Sequence, residues 1–273
     1  MDKKKKITAT AFFSIIAVIL LIGIILTGSS GDHEPINEVM KDAVLHESNK
    51  ISLFGLTEVN PGLISAFAVT GIFALFAIAV RIFVIPKFKI VPGKLQLLLE
   101  TAVGYFDKLA KQNSPHRNKF LGAYVFSAGA YIFVGTIFEL FGFQAVTTRG
   151  SSISLPAPLA DINGALMIGC LSYTVILLGG IAGNKINGIG KTLKEFSLPI
   201  SMSFRIFGAL LSGALVTELV YHYLQLSFGL PILVAVLFTL LHALIQAYVL
   251  TMLTALFYGE VSEPAVKKTK KKK

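Results

Sequence analysis

Apolar residues in this chain fall in long runs, over 7–26, 63–85, 120–143, 164–182, 198–223 and 231–258, broken by few charges and separated by more polar connections. An α-helix rises about 1.5 Å per residue, so about 20 apolar residues cross a hydrocarbon layer about 30 Å thick. The runs therefore predict an all-α membrane protein with five to six hydrophobic helices. The count depends on 7–26, which follows the basic cluster Lys3 to Lys6 and ends in Thr27, Gly28 and Ser29. That arrangement suits a first transmembrane helix or a signal peptide. Over 94–112 the pattern changes: Leu95, Leu98, Leu99, Ala102, Phe106 and Leu109 recur at helical spacing between polar residues. Such a helix lies in the membrane interface rather than crossing it.

Basic residues orient the spans. Arg81, Lys87 and Lys89 follow one run, Arg117 and Lys119 precede the next, and Lys185, Lys191 and Lys194 separate two others. If successive spans alternate in direction, all these clusters and the lysine tail at 267–273 fall on one side, the cytoplasm. The Ser-, Thr- and Pro-rich segment 144–163 and the turn at 225–230 then lie outside. The last two runs become a long antiparallel pair. Four regions follow: 1–29, an N-terminal hydrophobic segment; 30–60, an exported polar segment; 61–260, the membrane domain; and 261–273, a cytoplasmic tail.

Composition supports this reading, with 54% hydrophobic residues against 15% charged and a mean hydropathy of +0.72. A net charge of +10 would suggest a nucleic-acid partner in a soluble protein. Here the excess sits in terminal and loop clusters, so it reports topology and no nucleic acid is expected. Cys170 is the sole cysteine, which excludes a disulfide within the chain. The acids and histidines between His33 and Glu47 match no metal-ligand spacing. GIGKT at 188–192 lacks the earlier glycine and the strand of a phosphate loop and reads as a loop. No cofactor, no metal and no catalytic site of the chain's own is expected.

One residue breaks the pattern. Arg205 stands in an otherwise uncharged stretch, 198–217, roughly 10 Å or more from either end at ~1.5 Å per residue. A guanidinium keeps its proton, and placing one mid-helix costs about 2.5–3.5 kcal/mol on insertion scales. Too deep to snorkel, it reads as functional. Gly208, Ala209, Ser212 and Gly213 follow within two turns and leave room beside it. On the last run, Gln246 has His242 one turn earlier on the same face, with Thr239 beyond. Arg205 lies 23 residues before and Gln246 18 after a turn placed at 228, so an antiparallel pair puts them at comparable depth. A glutamine there orients the guanidinium without neutralising it.

These residues carry a resemblance. PISMSFRIFGALLSG, LIQAYVLTMLTALFYGE, VPGKLQLLLE at 91–100 and LADINGALMI at 159–168 occur in the order of the corresponding segments in subunit a of the F-type rotary ATP synthase. The chain is similar to that family over about 61–260. The resemblance implies a proton-translocating stator subunit in a bacterial plasma membrane, forming two offset half-channels against the ring of c subunits. Its other implied partners are the b subunits of the peripheral stalk, the rest of the complex and the lipid bilayer. By the same resemblance Arg205 is the essential stator charge with Gln246 beside it. Asp161, Asn163, Gly213, Glu218 and His242 line or approach the outer half-channel, and Asp161, Glu218 and His242 would relay ions inward in that order.

Some positions depart from the family pattern. Ala209 and Glu139 stand where the family usually has Asn, and Ala214 where some members carry an acid or histidine, so Glu139 joins the pathway candidates as a possible rewiring. The connection between 184 and 199 is shorter than usual. Two alternatives stay open. An unrelated polytopic transporter should show repeated halves, and none is visible. A structural membrane scaffold would pair Arg205 with Glu139 or Glu218.

Overall fold

The computed structural model describes residues 51–53, 56–146, 150, 152–222 and 230–264, with isolated positions before 51. Nearly all of residues 1–50, which hold the expected segment 1–29 and most of the expected segment 30–60, lie outside the described residues, as do 223–229, with all but the last residue of the expected turn at 225–230, and the tail from 265.

A short antiparallel hairpin, β1 (Ile51–Leu53) with β2 (Leu56–Val59), leads into α1 (Pro61–Ala79). Asn60 caps α1 by accepting from the Gly62 N–H, and Pro61 occupies the first turn, where its missing N–H costs nothing. Pro86 cannot donate to the carbonyl a turn earlier, and the helix meets it by widening into a π turn (Val80–Val84) and then tightening into a 3-10 turn (Ile85–Lys87). The amphipathic α2 (Lys94–Asn113) follows, one residue longer than its sequence pattern. Its approach is clamped by Gln96: Lys89 N donates to Oε1 at 3.0 Å, and Nε2 donates to Lys89 O at 2.9 Å and to Glu100 Oε1 at 2.7 Å.

Next come α3 (Lys119–Phe138), prolonged by a 3-10 turn (Glu139–Phe141), and a hairpin of β3 (Gln144–Val146) and β4 (Ser152–Ser154). The latter occupies what reads in sequence as an outer loop. Then follow α4 (Ile162–Asn184), α5 (Ile186–Lys194), α6 (Ser197–His222) and α7 (Leu230–Ser262). Five helices among the described residues are long and apolar enough to cross a membrane: Pro61–Lys87, Lys119–Phe141, Ile162–Asn184, Ser197–Thr217 and Val236–Ser262.

α5 corrects the sequence reading, because GIGKT is helical and not a loop. The chain reverses at Lys185, whose φ of 54° and ψ of −131° are unusual for a side-chain-bearing residue. α5 then folds back so closely on α4 that a methyl on Gly188 would collide with the Gly180 backbone. Gly188, which suggests a loop in sequence, serves this helix contact, whereas Gly190 faces open space. Buried Thr192 secures it, donating to Gly188 O at 3.0 Å and accepting at its carbonyl from the Tyr173 hydroxyl at 3.1 Å.

Lipid is as apolar as leucine, so the spans associate by close packing and interhelical hydrogen bonds. Leu121, Val125 and Ile132 of α3, Ala165 and Ile176 of α4, Ile206 of α6 and Leu250 of α7 are all buried in one core. Tyr124 and Ser172 share a hydrogen bond of 2.8 Å across α3 and α4. α1 is peripheral, buried only at Pro61, Gly62, Ser65 and Val69.

Candidate functional site

Helical periodicity divides α6 into two faces. Met202, Ser203, Ile206 and Leu210 are buried against the bundle, whereas Ser201, Phe204, Arg205, Gly208 and Ser212 are exposed. α6 is fixed in rotation by α4: a methyl on Gly169 would collide with Ser203 Oγ and lie 2.9 Å from the Pro199 carbonyl. That contact turns Arg205 away from the bundle. Counting from Ser197 at about 1.5 Å per residue, Arg205 stands about 12 Å along α6. A methyl on Gly208 would meet no atom within 4 Å, so the space beside the guanidinium is open.

α7 continues this surface with exposed Leu237, Leu241, Leu244 and Tyr248. Between the helices a narrow groove is lined by Met202, Arg205, Ile206, Gln246, Val249, Leu250 and Leu253. Gln246 is 5% exposed and its Oε1 has no hydrogen-bond partner. Arg205 makes no ion pair among the described residues. The groove therefore holds a fixed cation facing outward and an unused acceptor beside it.

Two turns further along α6, Gly213 faces α7, and a methyl there would lie 3.5 Å from His242 Nδ1. The His242 and Phe238 ring centroids are 5.8 Å apart. Arg205 with Gln246 and Gly213 with His242 thus lie at two levels of the α6–α7 interface, two turns apart along α6 and one turn apart along α7.

The other candidates are placed differently. Asp161 is the N-cap of α4, with Oδ1 accepting from the Asn163 N–H at 2.6 Å and Oδ2 accepting from Asn60 Nδ2. Asn60 in turn caps α1, its Oδ1 accepting from Gly62 N at 2.8 Å. Both Asp161 oxygens are engaged in joining two helix starts, a geometry that a carboxylate at a helix N-terminus favours. Asn163 is exposed in the first turn of α4. Glu139 is half-buried where α3 passes into its 3-10 turn. Glu218 falls within α6, but its side chain lies outside the described residues. Among the described residues, no three acid, histidine or cysteine side chains gather to hold a metal ion.

Sequence reading missed Asn60, although a polar residue before Pro61 at the start of an apolar run is a cap signal. It also missed that Gly169 and Ser203 set the rotation of α6, which no local pattern discloses.

The ATP synthase A chain family matches residues 63–259, from the first turn of α1 to near the end of α7. The chain is similar to the protein named ATP synthase subunit a in Acidothermus cellulolyticus, 28% identical over 185 residues that cover 62% of this chain and just under two thirds (65%) of that one. It is also similar to the proteins of that name in Actinobacillus pleuropneumoniae serotype 3, 25% identical over 201 residues (61% and 76%), and in Beijerinckia indica, 23% identical over 250 residues (80% and 98%).

Proposed function

The chain belongs to the ATP synthase A chain family, and from that premise we propose that it is the ion-translocating stator subunit of an F-type ATP synthase, presenting Arg205 to a moving ring of c subunits in a bacterial plasma membrane. The observation that carries this reading is the groove between α6 and α7. Arg205 is exposed there on an otherwise uncharged face, unpaired among the described residues, beside buried Gln246.

A ring carboxylate arriving with a bound proton meets this cation at close range. An opposite charge within about 4–6 Å favours the ionised form by one or more pKa units, so the proton is released before the carboxylate passes. The same charge blocks direct ion flow between two offset half-channels, one opening on each side. Small Gly208 and Ser212 let a ring helix approach, and Gln246 orients the guanidinium. Gly213 and His242 border the route on the outer side, with Glu218 as an entrance group and Glu139 and Asn163 near the same rim. Asp161 holds that rim together. Remaining parts of the assembly, including b subunits of the stalk, dock on other faces.

In the assembled complex, Arg205→Ala abolishes ion-driven ATP synthesis while assembly persists. Arg205→Lys fails or nearly so, because an ammonium lacks the planar fork and loses its proton in a dry site. Normal synthesis in either variant sinks the rotary reading. The scaffold alternative predicts instead that exchanging Arg205 with Glu139 or Glu218, whichever it pairs with, restores assembly.

A further inference from the structure

We propose that the cleft where the α2–α3 turn meets the ends of α4 and α7 is a binding site for one anionic phospholipid. The cleft, of about 670 Å³, is lined by His116, Arg117 and Lys119 from the turn and by Leu178, Ala182 and Tyr258 from α4 and α7. It falls in the size range of small-molecule sites, about 300–1,000 Å³. It lies at the end of the bundle where the basic clusters gather, which places it at the cytoplasmic headgroup level.

Its walls differ in chemistry. The turn presents the Arg117 and Lys119 cations and the His116 imidazole. Asn118 precedes α3 without a side-chain cap, so first-turn N–H groups also remain available to an anion. The opposite side is apolar, and Phe120 (59% exposed) and Leu178 (54%) continue it along the lipid-facing flanks of α3 and α4. A free phosphate would leave that apolar surface wet. A lipid with an anionic head and acyl chains satisfies both walls.

The site is built before any ligand arrives. Ser114 Oγ donates to Arg117 O at 3.0 Å, Asn118 Nδ2 donates to Pro115 O at 3.2 Å, and His116 Nε2 shares a 2.8 Å hydrogen bond with Ser262 Oγ on α7. The buried Tyr258 ring closes the floor, packed so tightly on Gly179 that a methyl there would collide with it. A lipid held here joins α3, α4 and α7 at one end. This proposal does not depend on the rotary reading.

The test is native mass spectrometry of the delipidated full chain titrated with phosphatidylglycerol, phosphatidylcholine or inorganic phosphate. Phosphatidylglycerol should be retained over phosphatidylcholine. The double variant R117A/K119A should bind it about thirtyfold more weakly, from two cations each acting near an anionic headgroup. Ala182→Trp, which blocks the cleft and keeps both charges, should lose it too, while K87A/K89A on the other basic turn should not. Equal retention of the two lipids overturns the proposal, as does unchanged binding in R117A/K119A and Ala182→Trp. Displacement by millimolar phosphate would mean a phosphate site instead. A complex extracted with another protein chain filling the cleft would also refute it.

Discussion

Replacing Asp161 separates a structural role from a role in ion passage. In Asp161→Ala the N-cap of α4 is lost, which costs about 0.5–2 kcal/mol. The Asn60 amide also loses its acceptor, adding about 1 kcal/mol because the site is only partly buried and water replaces some of the bond. The expected destabilisation is thus about 1.5–3 kcal/mol. Asp161→Asn should cost roughly half of that: Asn caps as well as Asp, but its amide would face the Asn60 Nδ2 donor, and Asn60 cannot turn over because its Oδ1 already accepts from Gly62. Thermal unfolding of the chain in micelles measures both variants, and a double-mutant cycle with Asn60→Ala should return a coupling of about 1 kcal/mol. Proton conduction through the reconstituted complex is measured alongside. Conduction should survive in Asp161→Asn once the protein is folded. Unchanged stability together with abolished conduction would refute the cap reasoning and make Asp161 a relay group.

Gly169→Ala should destabilise the chain by about 1–3 kcal/mol through overpacking against α6. Adding Ser203→Ala should recover part of the unfolding temperature but not all, since the Pro199 carbonyl remains 2.9 Å from the new methyl. Lys185→Gly should raise stability by about 1 kcal/mol, because glycine adopts the observed positive φ without steric cost; a lower unfolding temperature would contradict it. Gly208→Leu should leave the isolated chain as stable as before, having no neighbour within 4 Å, yet stop ATP synthesis in the complex. Undiminished synthesis would mean that nothing approaches that face.

The spans were legible because a helix in lipid must be apolar over its whole length, so run length alone discloses it. α2 was legible for the opposite reason, since only an interfacial helix needs a polar side. What sequence could not disclose is which side of a span faces protein. Leu237 is exposed and Leu250 buried, although both are leucines in one apolar run. α5 was misread because glycine signals both a break and a close approach, and here the approach to Gly180 prevails. The two hairpins escaped notice because strands of three or four residues carry no usable alternation. Arg205 was legible as a lone charge at depth. Asp161 was legible as a polar residue opening α4, but its contacts with Asn163 and Asn60 were not, since an acid opening an apolar run suits a helix cap and a channel mouth equally.

The cost of Arg205 bears on what the assembly must supply. A guanidinium on an apolar face costs about 2.5–3.5 kcal/mol on insertion scales, and nothing among the described residues offsets it with a carboxylate. A permanent partner within the chain would lower that cost but would also discharge the cation, leaving it unable to ionise anything that passes. Gln246 resolves the conflict on the proposed reading. Its unused Oε1 sits in the same groove and can accept from the guanidinium, easing the cost while leaving the charge intact. An acceptor that is neutral also releases the guanidinium easily when a ring carboxylate arrives, whereas a glutamate there would compete with it. Gln246→Glu should therefore block rotation more severely than Gln246→Leu, with ATP hydrolysis by the complex as the measurement. The reverse order would place the importance of Gln246 in packing rather than in tending the charge.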